Sequence, residues 1–300
     1  MAIAYKEISS NKRRTVILIF LFLLFIIGLG WIFSYAFDMY WIFPLAIAFA
    51  SFQAITSYWY SDRITLAISR AKEVGHDDNK ELFHVVENLC ITAGLPMPRI
   101  YIIEDSAPNA FATGRDPEHA VVCVTTGLLD KLERSELEGV IAHELSHIGN
   151  YDIRLMTVIV VLVGIVALIS DWFLRISFWG GGDDNNDRGQ FGAILMIAGI
   201  VLAILSPIIA VIIQMALSRS REYLADSDAV LLTRYPDGLA SALEKISADR
   251  EPLEAANKAT AHLYITNPLK EHKGTSRGWF SGLFETHPPI EERIRKLREM

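Results

Sequence analysis

Two histidines four residues apart, His143 and His147, stand in the run AHELSH with Glu144 directly after the first. On an α-helix, positions i and i+4 share a face, so both imidazoles reach a single ion. Glu144 then sits beside the ion without ligating it, where it can take a proton from water. This is the H-E-x-x-H arrangement of zinc hydrolases. Two imidazoles do not complete such a site, because catalytic zinc takes three protein ligands and keeps a position for water. The H-x-x-G-x-x-H extension that supplies a third histidine in some of these enzymes is absent, so a distant carboxylate is required. Glu222, in SRSREYLAD, is the candidate third ligand; the alternative is a surface glutamate paired with Arg219 or Arg221. Asp226, one turn on from Glu222, falls on the same face and would accept a hydrogen bond from a ligand imidazole, fixing its tautomer.

The elements that must position these residues begin with the membrane. The chain has 300 residues, 51% of them hydrophobic and only 21% charged, too apolar for an ordinary soluble domain. Thr15 to Phe37 and Met39 to Tyr60 are uncharged apart from Asp38 between them, and each is long enough to cross about 30 Å of hydrocarbon as a helix. Trp31, Tyr35, Tyr40, Trp41, Trp59 and Tyr60 gather at their ends, as interfacial aromatics do. A third apolar run starts near Leu155, with Asp171 and Arg175 expected as an ion pair at its far interface. A fourth run covers Phe191 to Leu217, with a kink expected at Pro207, and the polar turn GGGDDNNDRGQ separates the two. The expected organisation is therefore a transmembrane hairpin over 1–60, the first part of a soluble domain over 61–154, a second hairpin over 155–217 and the rest of the soluble domain over 218–300.

Orientation follows from basic flanks. Lys6, Lys12, Arg13 and Arg14 precede the first span, Arg63, Arg70 and Lys72 follow the second, Arg154 precedes the third, and Arg219 and Arg221 follow the fourth. These flanks, both termini and the soluble domain are expected on the cytoplasmic side of the membrane. The second hairpin explains how Glu222 meets the histidines: residues just before the third span and just after the fourth are brought together at the bilayer surface.

Within the soluble part, DNKELFHVVENLCITAG has helical periodicity and stops at Gly94. RIYIIE, NAFATG and AVVCVTT read as short strands. Ser135 and Glu138 are spaced as a capping box opening the H-E-x-x-H helix, and the chain from Leu217 to Ile246 reads as helical. The fold class expected is mainly α with a small β-sheet, an α+β zincin-like protease domain on four transmembrane helices. The formal net charge of −7 excludes nucleic acid as a partner. Cys90 and Cys123 belong to no C-x-x-C pair and read as buried reduced thiols.

Taken together, GLPMPRIYIIEDSAPNAFATGR, TTGLLDKLERSELEGVIAHELSHI, SRSREYLAD, ATAHLYITNPL and THPPIEERI resemble the HtpX-type membrane zinc metalloproteases, relatives of the CAAX prenyl proteases. The resemblance implies a gluzincin fold and one Zn2+ per chain held by His143, His147 and Glu222. It also implies Glu144 as general base and endopeptidase action on membrane or misfolded proteins in quality control. It further implies that Asn109, Ala110, Phe111 and Ala112 bind substrate by strand addition, and that His287 donates to the oxyanion with Arg293 in support; a buried structural role for His287 is the alternative. The partners expected are protein or peptide substrates and the lipid bilayer, and the sequence carries no signal for oligomeric state. Two competing readings are an intramembrane protease with its zinc in the bilayer core, and a membrane scaffold or chaperone with a structural zinc. The first conflicts with Glu136, Glu138 and Arg154 bracketing the motif, the second with a motif that offers no fourth ligand beside it.

Overall fold

The computed structural model describes residues 2–36, 38–164, 219–256, 260–266, 268 and 288–300. Helix α1 spans Ala2–Ala36 and α2 spans Ile42–Trp59. The chain reverses between them at Asp38, whose φ is 53°. Both helices are long and apolar enough to cross a membrane, and Ile8–Ile32 is the qualifying part of α1. Rows of Phe20, Leu24, Phe52 and Ile55 are exposed on this hairpin, the faces that lipid would cover. At 1.5 Å per residue the 35 residues of α1 measure about 52 Å, well beyond the ~30 Å of hydrocarbon. Its first turns therefore extend past the apolar layer to the folded domain, where Asn11 is fully buried.

After α3 (Ser61–Ile68), the chain builds a four-stranded sheet in the order β1-β2-β4-β3, from β1 Lys72–Glu73, β2 Arg99–Ile103, β3 Ala110–Thr113 and β4 Val121–Thr125. β2 and β4 run parallel, and the outer pairs are antiparallel. Between β1 and β2 lies α4 (Lys80–Ala93), capped by the Asn79 side chain on the Leu82 N–H and ended by Gly94 at φ 66°. That is the glycine-terminated helix its sequence calls for. Alternation of side chains along the strands gives the sheet two apolar faces. Ile100, Ala110, Ala112, Val122 and Val124 join the core shared with α4 and the metal-motif helix. Tyr101, Ile103, Phe111, Val121 and Cys123 join a second core with Met156, Val160, Leu263 and Tyr264. Cys90 and Cys123 are both free and buried.

A short α5 (Thr126–Lys131) leads into α6 (Arg134–Gly149), which carries His143, Glu144 and His147. Its capping box uses Glu133 and Glu136 instead of Ser135 and Glu138: the Glu133 N–H reaches Glu136 Oε2 at 2.8 Å. Lys245, donating to the same Oε2 at 2.7 Å, holds Glu136 in that role. From Glu136 to Ile148 almost every residue of α6 is buried, because the sheet and three other helices surround it. One of these is α9 (Pro236–Ala248), and the approach is glycine-dependent. A Cβ at Gly139 would lie 2.7 Å from the Leu239 backbone N, and one at Gly238 would lie 2.6 Å from the Ser135 carbonyl oxygen.

At the end of α6 the chain turns through Tyr151, at φ 60°, into α7 (Asp152–Gly164), bent 84° from α6. Helix α7 is the start of the expected third span; its apolar residues Leu155, Val158, Ile159 and Leu162 pack with Leu18, Phe22 and Ile26 of α1. The rest of that run, the Asp171–Arg175 pair, the glycine-rich turn and the fourth span with Pro207 lie outside the described residues. Helix α8 (Arg219–Thr233) carries Glu222 and Asp226. The stretch expected to be helical to Ile246 is made of two helices, α8 and α9, divided where Arg234 takes φ 56° ahead of Pro236. A C-terminal α10 (Ile290–Arg298) packs on α8 and α9 and delivers Arg293 to the interior.

Candidate metal centre and active site

Beyond the capping Glu136, four buried polar side chains, His143, Glu144, Ser146 and His147, project from α6. Buried polar groups need partners, and neighbouring elements supply them. Helix α8 brings Glu222 against both imidazoles, its carboxylate 3.8 Å from His143 Nε2 and 3.6 Å from His147 Nε2. The two Nε2 atoms are themselves 3.2 Å apart. These three are the His/Cys/Asp/Glu group able to hold a metal ion among the described residues, and all are buried. Donors bound tetrahedrally at about 2.1 Å to a zinc ion stand roughly 3.4 Å from one another, and the three observed separations straddle that figure. The donor set and its spacing therefore fit zinc.

Each imidazole turns its other nitrogen to a carboxylate. His143 Nδ1 lies 3.0 Å from Asp226 Oδ1, and His147 Nδ1 lies 3.0 Å from Asp152 Oδ2. With the Nδ1 proton engaged in this way, both Nε2 lone pairs point at the same place, which is what ion binding requires. Asp226 is gripped in turn by Arg293, whose Nε and Nη2 donate to its two oxygens at 2.9 and 2.7 Å. The same guanidinium donates to the Ile265 carbonyl and stands 3.6 Å from Glu222. Burial opposes ionisation of Asp226, but the Arg293 charge and the hydrogen bonds from His143 and Arg293 prevail and hold its pKa down to about 2. Burial lowers the His143 pKa to about 4, so that ring is a neutral donor. Burial also disfavours the His147 cation, yet the Asp152 hydrogen bond and the surrounding carboxylates raise its pKa to about 9 in the metal-free protein. That imbalance marks a negative pocket wanting a positive charge.

Glu144, equally buried, points the other way, towards β3. Burial pushes its pKa up to about 7, opposed by the His147 charge and by a hydrogen bond from the Ala112 backbone N–H. A carboxyl group poised near neutrality is suited to accepting and returning a proton. β3 is an outer strand of the sheet. Asn109 pairs with β4 through its carbonyl, so the alternation of an antiparallel ladder turns the backbone groups of Ala110 and Ala112 outward. The Ala110 carbonyl accepts from the Ile265 N–H at 3.0 Å. The Asn109 amide braces the same segment by donating to the Thr266 carbonyl, and Phe111 packs edge-on against Tyr264. His287 lies outside the described residues. Arg293 has its hydrogen bonds behind the donors, on Asp226 and the Ile265 carbonyl.

Sequence reasoning passed over Asp152, Asn11 and a role for Arg221 here. Asp152 begins α7 and holds His147. Its second oxygen, Oδ1, accepts from the Asn11 amide at 2.7 Å and lies 3.3 Å from Arg221 Nη1. Arg221 thus turns to Asp152 and Asn11 while Glu222 turns to the histidines. The only signal for Asp152 was an acid five residues past His147, at the edge of an apolar run.

Two helices of membrane length, a small mixed sheet and a metal-type donor set shared by α6 and α8 are the parts of a membrane metalloprotease. It belongs to peptidase family M48, whose match spans residues 76–300. Over 99% of its length it is 46% identical to a protease HtpX homolog of Tropheryma whipplei (strain Twist), covering 98% of that protein. It is 48% identical to a protease HtpX homolog of Dictyoglomus thermophilum, with 99% of this chain and 94% of that protein covered. Its fold is similar to the crystal structure of S. mikatae Ste24p, with a TM-score of 0.52 at 19% identity, covering 98% of this chain and 67% of that one.

Proposed function

We propose that this protein is a zinc-dependent endopeptidase that hydrolyses peptide bonds of membrane or misfolded proteins at the cytoplasmic face of the plasma membrane, in the service of membrane protein quality control. The observation that carries the reading is the convergence of His143, His147 and Glu222 from two helices at zinc-like spacing. Two histidines and a glutamate are the donor set of hydrolytic zinc sites. When bound, the ion supplies Lewis-acid chemistry, acidifying water and polarising a scissile carbonyl. Glu144 takes the proton from the attacking water and returns it to the leaving amine. Asp226 and Asp152 keep the two imidazoles in the ligating tautomer. His287 donates to the oxyanion that develops on the carbonyl.

Substrate enters as an added strand on β3. Support comes from the outer position of that strand and from the Ala112 N–H that ties it to Glu144. With the Ala110 carbonyl engaged by Ile265, the outward Ala112 carbonyl is where addition begins. The protease names of the relatives support the activity, and the basic flanks of the spans support action at the cytoplasmic membrane surface. The test is cleavage of a casein-like unfolded substrate by purified protein. Glu144→Gln is expected to retain one zinc and lose turnover, whereas His143→Ala and Glu222→Ala lose zinc. Proteolysis by a metal-replete, contaminant-free Glu144→Gln protein would refute the assignment.

A further inference from the structure

The first membrane helix takes part in the polar network around His147. Asn11 of α1 has no exposed surface, in a helix whose packing against α7 is made by the apolar Leu18, Phe22 and Ile26. Its amide donates to Asp152 Oδ1 at 2.7 Å and to the Asn150 carbonyl at 3.0 Å, and its own Oδ1 accepts from Arg221 Nη1 at 3.2 Å. One side chain therefore joins the beginnings of α7 and α8 and the C-cap of α6. Asp152, held on Oδ1 by Asn11 and Arg221, presents Oδ2 to His147 Nδ1. Above this contact, Lys12 lies over the Tyr151 ring at 4.1 Å, seating the same turn of α1 on the bend between α6 and α7.

We propose that Asn11 is a positioning residue of the metal centre: by fixing Asp152 it fixes the orientation of His147, so that α1 belongs to the zinc site as well as to the membrane anchor. The inference rests on the zinc reading above and extends it to a residue that touches neither ion nor substrate. Without the Asn11 donor, Asp152 loses its shortest hydrogen bond and is free to rotate towards Arg221. His147 Nδ1 then loses the acceptor that defines its tautomer. Groups one step behind a ligand typically change metal affinity by 10–100-fold when removed. Asn11 acts one step further back, so a loss at the lower end, about tenfold, is expected.

The experiment uses the full-length protein in detergent. It measures the zinc dissociation constant by chelator competition and the visible d–d bands of the cobalt-substituted form, which report ligand geometry independently of activity. Four variants are compared with wild type. Asn11→Ala removes the whole connection. Asn11→Asp keeps its size and the acceptor for Arg221 but removes the donor to Asp152. Leu18→Ala weakens only the apolar packing of α1 against α7. His147→Ala removes a ligand. Expected are about tenfold weaker zinc binding and shifted cobalt bands in both Asn11 variants, with Leu18→Ala less heat-stable but unchanged in zinc affinity and spectrum. Wild-type affinity and bands in Asn11→Asp would overturn the proposal, as would a loss in Leu18→Ala equal to that in Asn11→Ala. If wild type binds zinc and His147→Ala does not, the parent reading stands whichever way the Asn11 variants behave. If wild type binds no zinc, both fall.

Discussion

Replacing Arg293 by alanine tests the electrostatics of the site where they are most concentrated. The guanidinium is buried and makes both of its short bonds to Asp226, with Glu222 close behind. Removing it leaves the buried Asp226 carboxylate with His143 alone and facing the charge of Glu222. Two scales bound the cost. The depression of the Asp226 pKa from 3.8 to about 2 corresponds to roughly 2 kcal/mol at 1.36 kcal/mol per unit. Truncating one partner of a buried pair costs about 3–5 kcal/mol, because a charge is stranded. A loss of about 3 kcal/mol is expected in the metal-free protein, lowering its melting midpoint by roughly 6–12 °C for a domain of this size. Zinc should bind some 10- to 100-fold more weakly, since Asp226 no longer fixes His143. Arg293→Lys, which keeps the charge but loses the two-pronged grip, should fall between. Thermal unfolding in chelator and zinc competition measure the two effects. An Arg293→Ala protein that melts and binds zinc like wild type would refute the argument.

Further outcomes follow from the same geometry. Because the folded-state pKa of Asp226 lies below its ordinary value, its contribution to stability is in place above about pH 4 and lost as pH falls towards 2. Unfolding free energies measured across that window should fall by roughly 2 kcal/mol less in Asp226→Asn than in wild type. Gly139→Ala forces a methyl against the Leu239 backbone; denaturant unfolding should show a loss of about 1–3 kcal/mol, with proteolysis reduced because α6 must shift. Stripping zinc should lower the melting midpoint reversibly, since an ion at a free concentration 1,000 times its dissociation constant stabilises by about 4 kcal/mol. Readdition should restore both the midpoint and casein cleavage.

The parts of the site legible in the sequence were those with a local period. His143 and His147 are spaced by one helical turn, and Glu222 and Asp226 by another, so each pair announced a shared face. Joining the two pairs required only that a membrane hairpin return the chain to its starting side. The three longer strands and the Asn79–Gly94 helix were likewise marked by alternation and caps. β1, two residues long, is too short to carry a pattern. The capping box was ambiguous because Glu133–Glu136 and Ser135–Glu138 share the same spacing. Tertiary contacts decide it: Lys245 holds Glu136, and Gly238 packs against the Ser135 carbonyl. The break between α8 and α9 was signalled by Pro236, which suits the first turn of a new helix. Asn11 and Asp152 are 141 positions apart, and no local rule joins an amide near one apolar run to an acid at the start of another.

The donors divide unequally along the chain: two on α6, ahead of the apolar 155–217 stretch, and one on α8, beyond it. During synthesis this sets a clock. On the zinc reading proposed above, a nascent polypeptide that ends before Glu222 offers a metal only a pair of imidazoles, and the third donor arrives only once the ribosome has passed the last expected membrane segment. The order of translation thereby delays assembly of the proposed metal site until the apolar 155–217 stretch has been made.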